Sequence, residues 1–236
     1  KEKLAHHKRQ LDTQSEDLAH QGIEVALVLE KLQGFQVAIP SWALGAGGTR
    51  FGRVSIGGEP KNLYEKIADV GLLHALTQSA GSISLHIPWD IPQDATAIKD
   101  FANSQGIQFD AVNSNTFQDQ ASQSQSYKFG SLCHTDSEVR ALAVAHNKEV
   151  IDTGIALESD SLTVWLADGS SFPGQLNFRK ALERTLESLQ EIYAYLPENW
   201  KMFIEYKPYE PNFYSTVIQD WGTSHMLAEA CGPKAF

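Results

Sequence analysis

The chain has 236 residues, with 19 Lys and Arg against 29 Asp and Glu, which gives a formal net charge of −10. Hydrophobic residues make up 42% and charged residues 20%, a balance that excludes disorder and a coiled coil for most of the chain. The acidic balance argues against a nucleic-acid partner or an anionic membrane surface, because clustered Lys and Arg bind both.

The expected compartment follows from the same data. No apolar run of the sequence approaches the ~20 residues that span a bilayer. The charged segment 1–18 is unlike a signal peptide. Cys133 and Cys231 are too few to staple a domain of this size, which predicts free thiols in a reducing compartment. We therefore expect a cytoplasmic protein without a membrane partner.

Hydrophobic spacing and Pro, Gly and cap residues predict the elements along the chain. One or two helices are expected before residue 33, and a loop over 118–127. The strands are predicted over 35–39, 83–87, 109–113, 162–166 and 201–205. The helices are predicted over 61–78, 95–104 with Gly106 just past its end, 136–157 with Thr135 or Asp136 as N-cap, 177–196, and 214–230.

Five strands that alternate with five helices predict βα units and a parallel sheet. Two folds use this alternation, a doubly wound sheet and a (β/α)8 barrel. The chain stops where a sixth strand is expected, which favours a barrel that breaks off before its later strands. Residues 1–34 are expected to form a helical extension and residues 35–236 the barrel part.

The segment 203–211 holds the most specific chemistry. Glu205 and Lys207 stand two positions apart at the carboxyl end of a strand, so their side chains point to the same face. In a barrel that face is the interior at the catalytic mouth. A buried Glu needs a countercharge, which Lys207 or a divalent metal would supply. The alternative is a structural ion pair.

His86 and four aromatic residues mark the other strand ends. His86 stands near the end of the second strand, where an imidazole would serve as proton donor or acceptor; the alternative is a buried core histidine. Trp42 follows the first strand, Trp89 the second and Phe117 the third, and Trp165 lies within the fourth. Repeated aromatic residues at strand ends predict a pocket for the C–H faces of a sugar.

The glycine-rich segment 45–52 follows the first strand, which is where a phosphate-binding loop can occur. It has neither the GxGxxG spacing nor the GK[ST] ending of phosphate-binding loops. A long mobile loop with Phe51 at its tip is the favoured interpretation.

Four segments together resemble a known family. GAGGTRF (45–51), SLHIPWD (84–90), VNSNTF (112–117) and EYKPYEP (205–211) are similar to the N-terminal half of bacterial L-rhamnose isomerases, in the xylose isomerase-like group. The resemblance covers essentially the whole chain. It implies a (β/α)8 barrel with extra N-terminal helices and about five βα units in this chain. It also implies a homotetramer that interconverts L-rhamnose and L-rhamnulose, with two Mn²⁺ or other divalent cations per site.

The resemblance also implies roles for individual residues. Glu205 would bridge the two metals, Lys207 would bind the substrate near its reacting oxygen, and His86 would act in ring opening. Trp165 would form a wall beside the substrate. The apolar pocket for the deoxy methyl end would come from Trp42, Trp89 and Phe117. Phe51 would lie on a loop that reaches the site of a neighbouring subunit.

The sequence departs from the family pattern in its metal ligands. The family takes its other Asp and His ligands from later strands, so the segment alone is expected to be inactive; hard divalent cations prefer about six ligands. The alternatives are a sugar epimerase or a metal-dependent endonuclease of the same fold, or a non-catalytic sugar-binding fragment. The acidic charge and the aromatic pocket speak against DNA as substrate.

Overall fold

The computed structural model describes residues 1–45, 47–49, 52–55, 57–121, 123–166, 176–207 and 216–236, with the backbone alone for 47–49, 52 and 53. No helix within these ranges is both long enough and apolar enough to cross a membrane.

Two helices precede the sheet, as predicted. Helix α1 spans Glu2–His20 and α2 spans Val25–Gln33, and neither has a buried residue. Strand β1 (Ala38–Pro40) follows. The predicted domain boundary at residue 34 stays a prediction.

A short hairpin occupies part of the glycine-rich segment. Strands β2 (Gly47–Thr49) and β3 (Gly52–Val54) pair antiparallel, with Gly47 opposite Val54. The prediction of a long mobile loop over 45–52 stays a prediction, and the described backbone within it forms this hairpin. Phe51 lies outside the described residues.

The remaining elements alternate along the chain. The helices are α3 (Leu63–Thr77), α4 (Ala95–Ser104), α5 (Ser137–Ala156), α6 (Phe178–Tyr195) and α7 (Trp221–Cys231). The strands are β4 (Ser82–Ser84), β5 (Gln108–Phe109), β6 (Val112–Asn113), β7 (Ser161–Leu166) and β8 (Lys201–Tyr206).

The parallel strands pair in chain order. β1 pairs with β4 and β4 with β5; β6 pairs with β7 and β7 with β8. The backbone of Asn113 joins the two halves, since its N–H donates to the Leu85 carbonyl at 2.8 Å and its carbonyl accepts from the Ile87 N–H at 2.9 Å. A doubly wound sheet requires a reversal of the strand order, and the described strands show none. The fold is therefore an arc of a (β/α) barrel.

Several element ends differ from prediction. The first strand begins at Ala38, and Phe35 before it is 65% exposed. The strand predicted over 83–87 is confined to β4. The one predicted over 109–113 divides into β5 and β6, because the chain changes partner from β4 to β7 there. Helix α7 begins at Trp221, later than predicted, after its N-cap Asp220.

The core lies between the sheet and its helices. On β7 and β8 alternate side chains are buried under α5, α6 and α7, namely Leu162, Val164, Leu166, Met202 and Ile204. The intervening residues, Thr163, Trp165, Phe203 and Glu205, therefore point to the opposite face. That face is the concave interior of the arc, and it carries the candidate site.

The last residues continue the sheet beyond β8. The Met202 N–H donates to the Lys234 carbonyl at 2.8 Å, and the Phe236 N–H donates to the Met202 carbonyl at 2.9 Å. Ala235 lies beside Met202 in parallel register. This ladder stands where the sequence predicts a sixth strand.

Candidate active site at the concave face

A row of rings crosses the carboxyl ends of the strands. His86 stacks on Trp89 with ring centroids 3.9 Å apart and planes at 18°. Trp42 meets His86 edge-on at 5.5 Å, and Phe117 meets Trp165 edge-on at 4.4 Å. Phe117 lies 5.8 Å from His86 and closes the row. The structure thus brings together all five of these predicted site residues, while their predicted roles stay predictions.

Glu205 extends the row on the next strand. It is paired in register with Trp165, and side chains paired in this way lie on the same face of a parallel sheet. Glu205 is exposed on the concave face, although neighbouring protein removes part of its water. Burial therefore raises the pKa of the Glu205 carboxyl above its usual value, and the positive charge of Lys207 works against that rise.

Lys207 follows directly after β8 and is partly buried. Its backbone is fixed on both sides: the N–H donates to the Ile218 carbonyl at 3.4 Å, and the carbonyl accepts from the Thr216 hydroxyl at 3.0 Å. The positive charge of Lys207 favours the charged form of the Glu205 carboxyl and so acts to lower its pKa.

His86 is 6% exposed, within the aromatic row. Its backbone N–H donates to Asp90 Oδ2 at 3.0 Å, and its carbonyl accepts from the Asp90 N–H at 3.0 Å. The turn after β4 therefore holds His86 from both backbone groups.

The residues that support this turn were not predicted from the sequence. Asp90 is 3% exposed and accepts from Lys66 Nζ at 2.6 Å and from the Ser41 hydroxyl. Asp90 stands in a segment that the family resemblance quoted, but Lys66 lies on helix α3, 24 positions earlier. No local pattern pairs residues so far apart.

A second support joins the strand ends farther along the sheet. The Asn115 N–H donates to Nε2 of His146 on α5 at 3.0 Å. Burial lowers the pKa of His146, and the Ile87 carbonyl partly offsets that effect. A neutral imidazole thus connects the turn that carries His86 with the segment that carries Phe117.

A divalent metal requires several oxygen or nitrogen ligands close together. Within the ranges that the structure covers, no three His, Cys, Asp or Glu side chains come together as a metal site. Glu205 is the one carboxylate among the predicted site residues. These residues do not by themselves fit a pair of Mn²⁺ ions, and that cofactor stays a prediction.

Fold and site together have the design of a barrel enzyme. The polar and aromatic side chains stand at the carboxyl ends of parallel strands, where barrels of this kind place their active sites. The row of rings offers apolar faces, and His86, Glu205 and Lys207 offer groups that exchange protons or stabilise charge.

The chain is similar to curated proteins named as probable sugar isomerases. It is 49% identical over 228 residues to one of Rhizobium meliloti, covering 97% of this chain and 53% of that protein. It is 50% identical over 221 residues to one of Mesorhizobium japonicum, covering 94% of this chain and 51% of that protein. The chain thus spans about half the length of these relatives. No protein-family model matches it.

Solved structures of sugar epimerases share the fold. A D-allulose 3-epimerase from Methylomonas sp. superposes with a TM-score of 0.59 at 15% identity, covering 86% of this chain and 61% of that one. A 3-keto-D-glucoside 4-epimerase from E. coli gives a TM-score of 0.59 at 9% identity, covering 85% and 66%. At these identities the likeness establishes the fold alone.

The comparisons correct the family resemblance. The relatives carry the name of probable sugar isomerases, and the structural neighbours are epimerases; neither comparison supports membership of the L-rhamnose isomerases.

Proposed function

We propose that the full-length protein is a metal-dependent sugar isomerase that interconverts an aldose and a ketose by moving hydrogen between C1 and C2. One observation carries the proposal: the register of β7 and β8 sets Glu205 beside Trp165, at the end of the aromatic row. A sugar lying on the rings would present its polar edge to Glu205 and Lys207. The names of the relatives support the reaction class.

Each group has a defined part in this proposal. The rings cover the C–H faces of the sugar and exclude water from it. His86 exchanges a proton with the ring oxygen during opening. Lys207 stabilises negative charge that develops on the reacting oxygen. Glu205 would supply one carboxylate ligand to a divalent cation such as Mn²⁺, and the other ligands would come from later strands of the full-length protein.

The substrate remains to be measured. Trp42 and Trp89 keep exposed apolar surface beside the buried Phe117, which favours a sugar with an apolar terminal carbon, such as a 6-deoxy methyl group. The assay panel therefore contains L-rhamnose beside aldoses with a terminal hydroxymethyl group, and a ratio of their kcat/KM values gives the specificity.

A second candidate is epimerisation of a ketose, favoured by the fold shared with sugar epimerases. Isotopes separate the two reactions. Isomerisation moves or exchanges deuterium placed at C2 of an aldose, whereas 3-epimerisation exchanges deuterium placed at C3 of a ketose. Exchange confined to C3 would contradict the isomerase proposal.

Metal removal tests the proposal directly. Chelation should abolish turnover by the full-length protein, and added Mn²⁺ should restore it. Glu205→Gln should weaken Mn²⁺ binding by about 10-fold or more in calorimetry, because the amide carries no charge. The matched control is Glu191→Gln, which removes a carboxylate bonded to Lys148 at 2.7 Å between α5 and α6. Equal Mn²⁺ affinity in Glu205→Gln and the control would reject Glu205 as a ligand.

A further inference from the structure

We propose that Asp90 is a positioning residue that holds Trp42, His86 and Trp89 in the geometry the sugar requires. The inference rests on the proposed function, because it assigns a role at the same site. Asp90 itself does not touch the reacting atoms; it acts through the three residues that it fixes.

The hydrogen bonds of one carboxylate carry the argument. Oδ1 accepts from Lys66 Nζ at 2.6 Å, and Oδ2 accepts from the Ser41 hydroxyl and from the His86 N–H at 3.0 Å. Three different segments therefore meet at Asp90: the turn after β1, the end of β4 and helix α3. Their bonds are charge-assisted, which makes them strong and geometrically selective.

The two bonds to Oδ2 hold residues at or beside the rings. Ser41 directly precedes Trp42, His86 is bonded through its own N–H, and Trp89 directly precedes Asp90. The edge contact of Trp42 on His86 and the stacking of Trp89 on His86 both depend on these backbone positions. A single buried charge thus sets the relative placement of three rings from two strand ends.

Stability alone does not account for this arrangement. A buried ion pair is weak evidence for stability, because well-packed apolar residues often replace one without loss. Lys66, at 8% exposed, neutralises the carboxylate, which leaves Oδ2 to hold the two site segments. Because Oδ1 binds Lys66 while Oδ2 binds Ser41 and His86, the carboxylate is arranged to position the two site segments.

Kinetics and aromatic spectra of the full-length protein test the inference. Asp90→Asn keeps the shape of the side chain and removes its charge. We expect kcat/KM to fall about 10²-fold, the loss typical of a misplacement near 1 Å. KM should rise about 10-fold, because displaced rings bind the substrate less tightly in both the ground state and the transition state. The near-ultraviolet circular dichroism of the stacked rings should weaken.

Two further variants keep the test decisive if Asp90→Asn fails to fold. Ser41→Ala removes one bond to Oδ2 and leaves the ion pair with Lys66; it should raise KM by about 3-fold or more, as for one lost hydrogen bond. Glu191→Gln, the control on α6, should leave KM and the spectrum unchanged.

The outcomes separate the two proposals. A lower melting temperature in Asp90→Asn and Ser41→Ala, with wild-type KM and an unchanged aromatic spectrum, would overturn the positioning role. Failure of the wild-type protein to convert any sugar would instead overturn the proposed function, while the spectrum would still report whether Asp90 fixes the rings.

Discussion

Glu205 shows how one strand end sets the protonation of a carboxyl group. Burial raises the pKa of Glu205, and Lys207 lowers it by favouring the charged form. Lys207→Met removes that opposing charge, so the pKa of Glu205 should rise further. Carbon-13 NMR of Glu-labelled protein measures the change, with Glu205→Gln to assign the signal. Lys201→Met, at the opposite end of β8, is the control; an equal shift in both variants would contradict the prediction.

His146 makes stability depend on pH. Its pKa in the folded protein lies below the usual 6.5 because of burial. Below pH 6.5 His146 binds a proton in the unfolded chain but not in the folded protein. The free energy of unfolding therefore falls as the pH drops from 6.5 toward the pKa of His146 in the folded protein. His146→Gln should flatten this fall when denaturant unfolding is measured at pH 7.5 and 5.5. Ala145→Gln, on the exposed side of α5, should retain it.

The sequence predicts site residues where reactive or aromatic side chains stand at the ends of predicted strands. Glu205 and Lys207 follow from their spacing on a strand, and the aromatic residues follow from their repeated position after strands. Lys66, Asn115 and His146 were not predicted, because each partner lies on another element and the pairing appears only after packing. Phe51 remains untested.

Helices were easier to predict than strands. A cap residue specifies a helix end locally, and Asp136, one of the two predicted N-caps, accepts from the Glu138 N–H through its side chain. Gly106 lies just past α4 with φ at +71°, as its predicted role requires. Strand ends depend on the partner instead: Val37 continues an apolar run, yet the ladder begins at Ala38, opposite Ser82.

Gly154 tests the packing of α5 against the sheet. A Cβ there would come within 2.6 Å of Trp200 and 2.9 Å of Val112. Gly154→Ala should lower the free energy of unfolding by about 1–3 kcal/mol, the cost of overpacking a core. Gly34→Ala is the control, since its φ is −79° and its neighbours lie at ordinary contact distance. It should be stabilising by about 0.4–1 kcal/mol in chemical denaturation.

At the scale of the whole molecule, alternation of strands and helices predicted an α/β fold, the family resemblance favoured the barrel over the doubly wound sheet, and the strand order confirms the barrel. Both a barrel and a doubly wound sheet show the same order of elements along the chain. Their difference is the order of strands in space, which depends on how each helix crosses the sheet. The observed order β1-β4-β5 and β6-β7-β8 settles it.

The proposed assembly is testable through Phe51. We propose a homotetramer in the cytoplasm in which the Phe51 segment of one subunit reaches the site of another. Sedimentation of the full-length protein should then give the mass of four chains, and Phe51→Ala should raise KM in the tetramer. Equal sensitivity of a monomeric variant to Phe51→Ala would refute the contribution across subunits.

The strand order has a consequence for how the protein is made. Within each of the two parallel sheets, every strand pairs with the parallel strand that precedes it in the chain. The partner of each new strand has therefore already been synthesised, and we expect the arc to form in chain order as the chain leaves the ribosome.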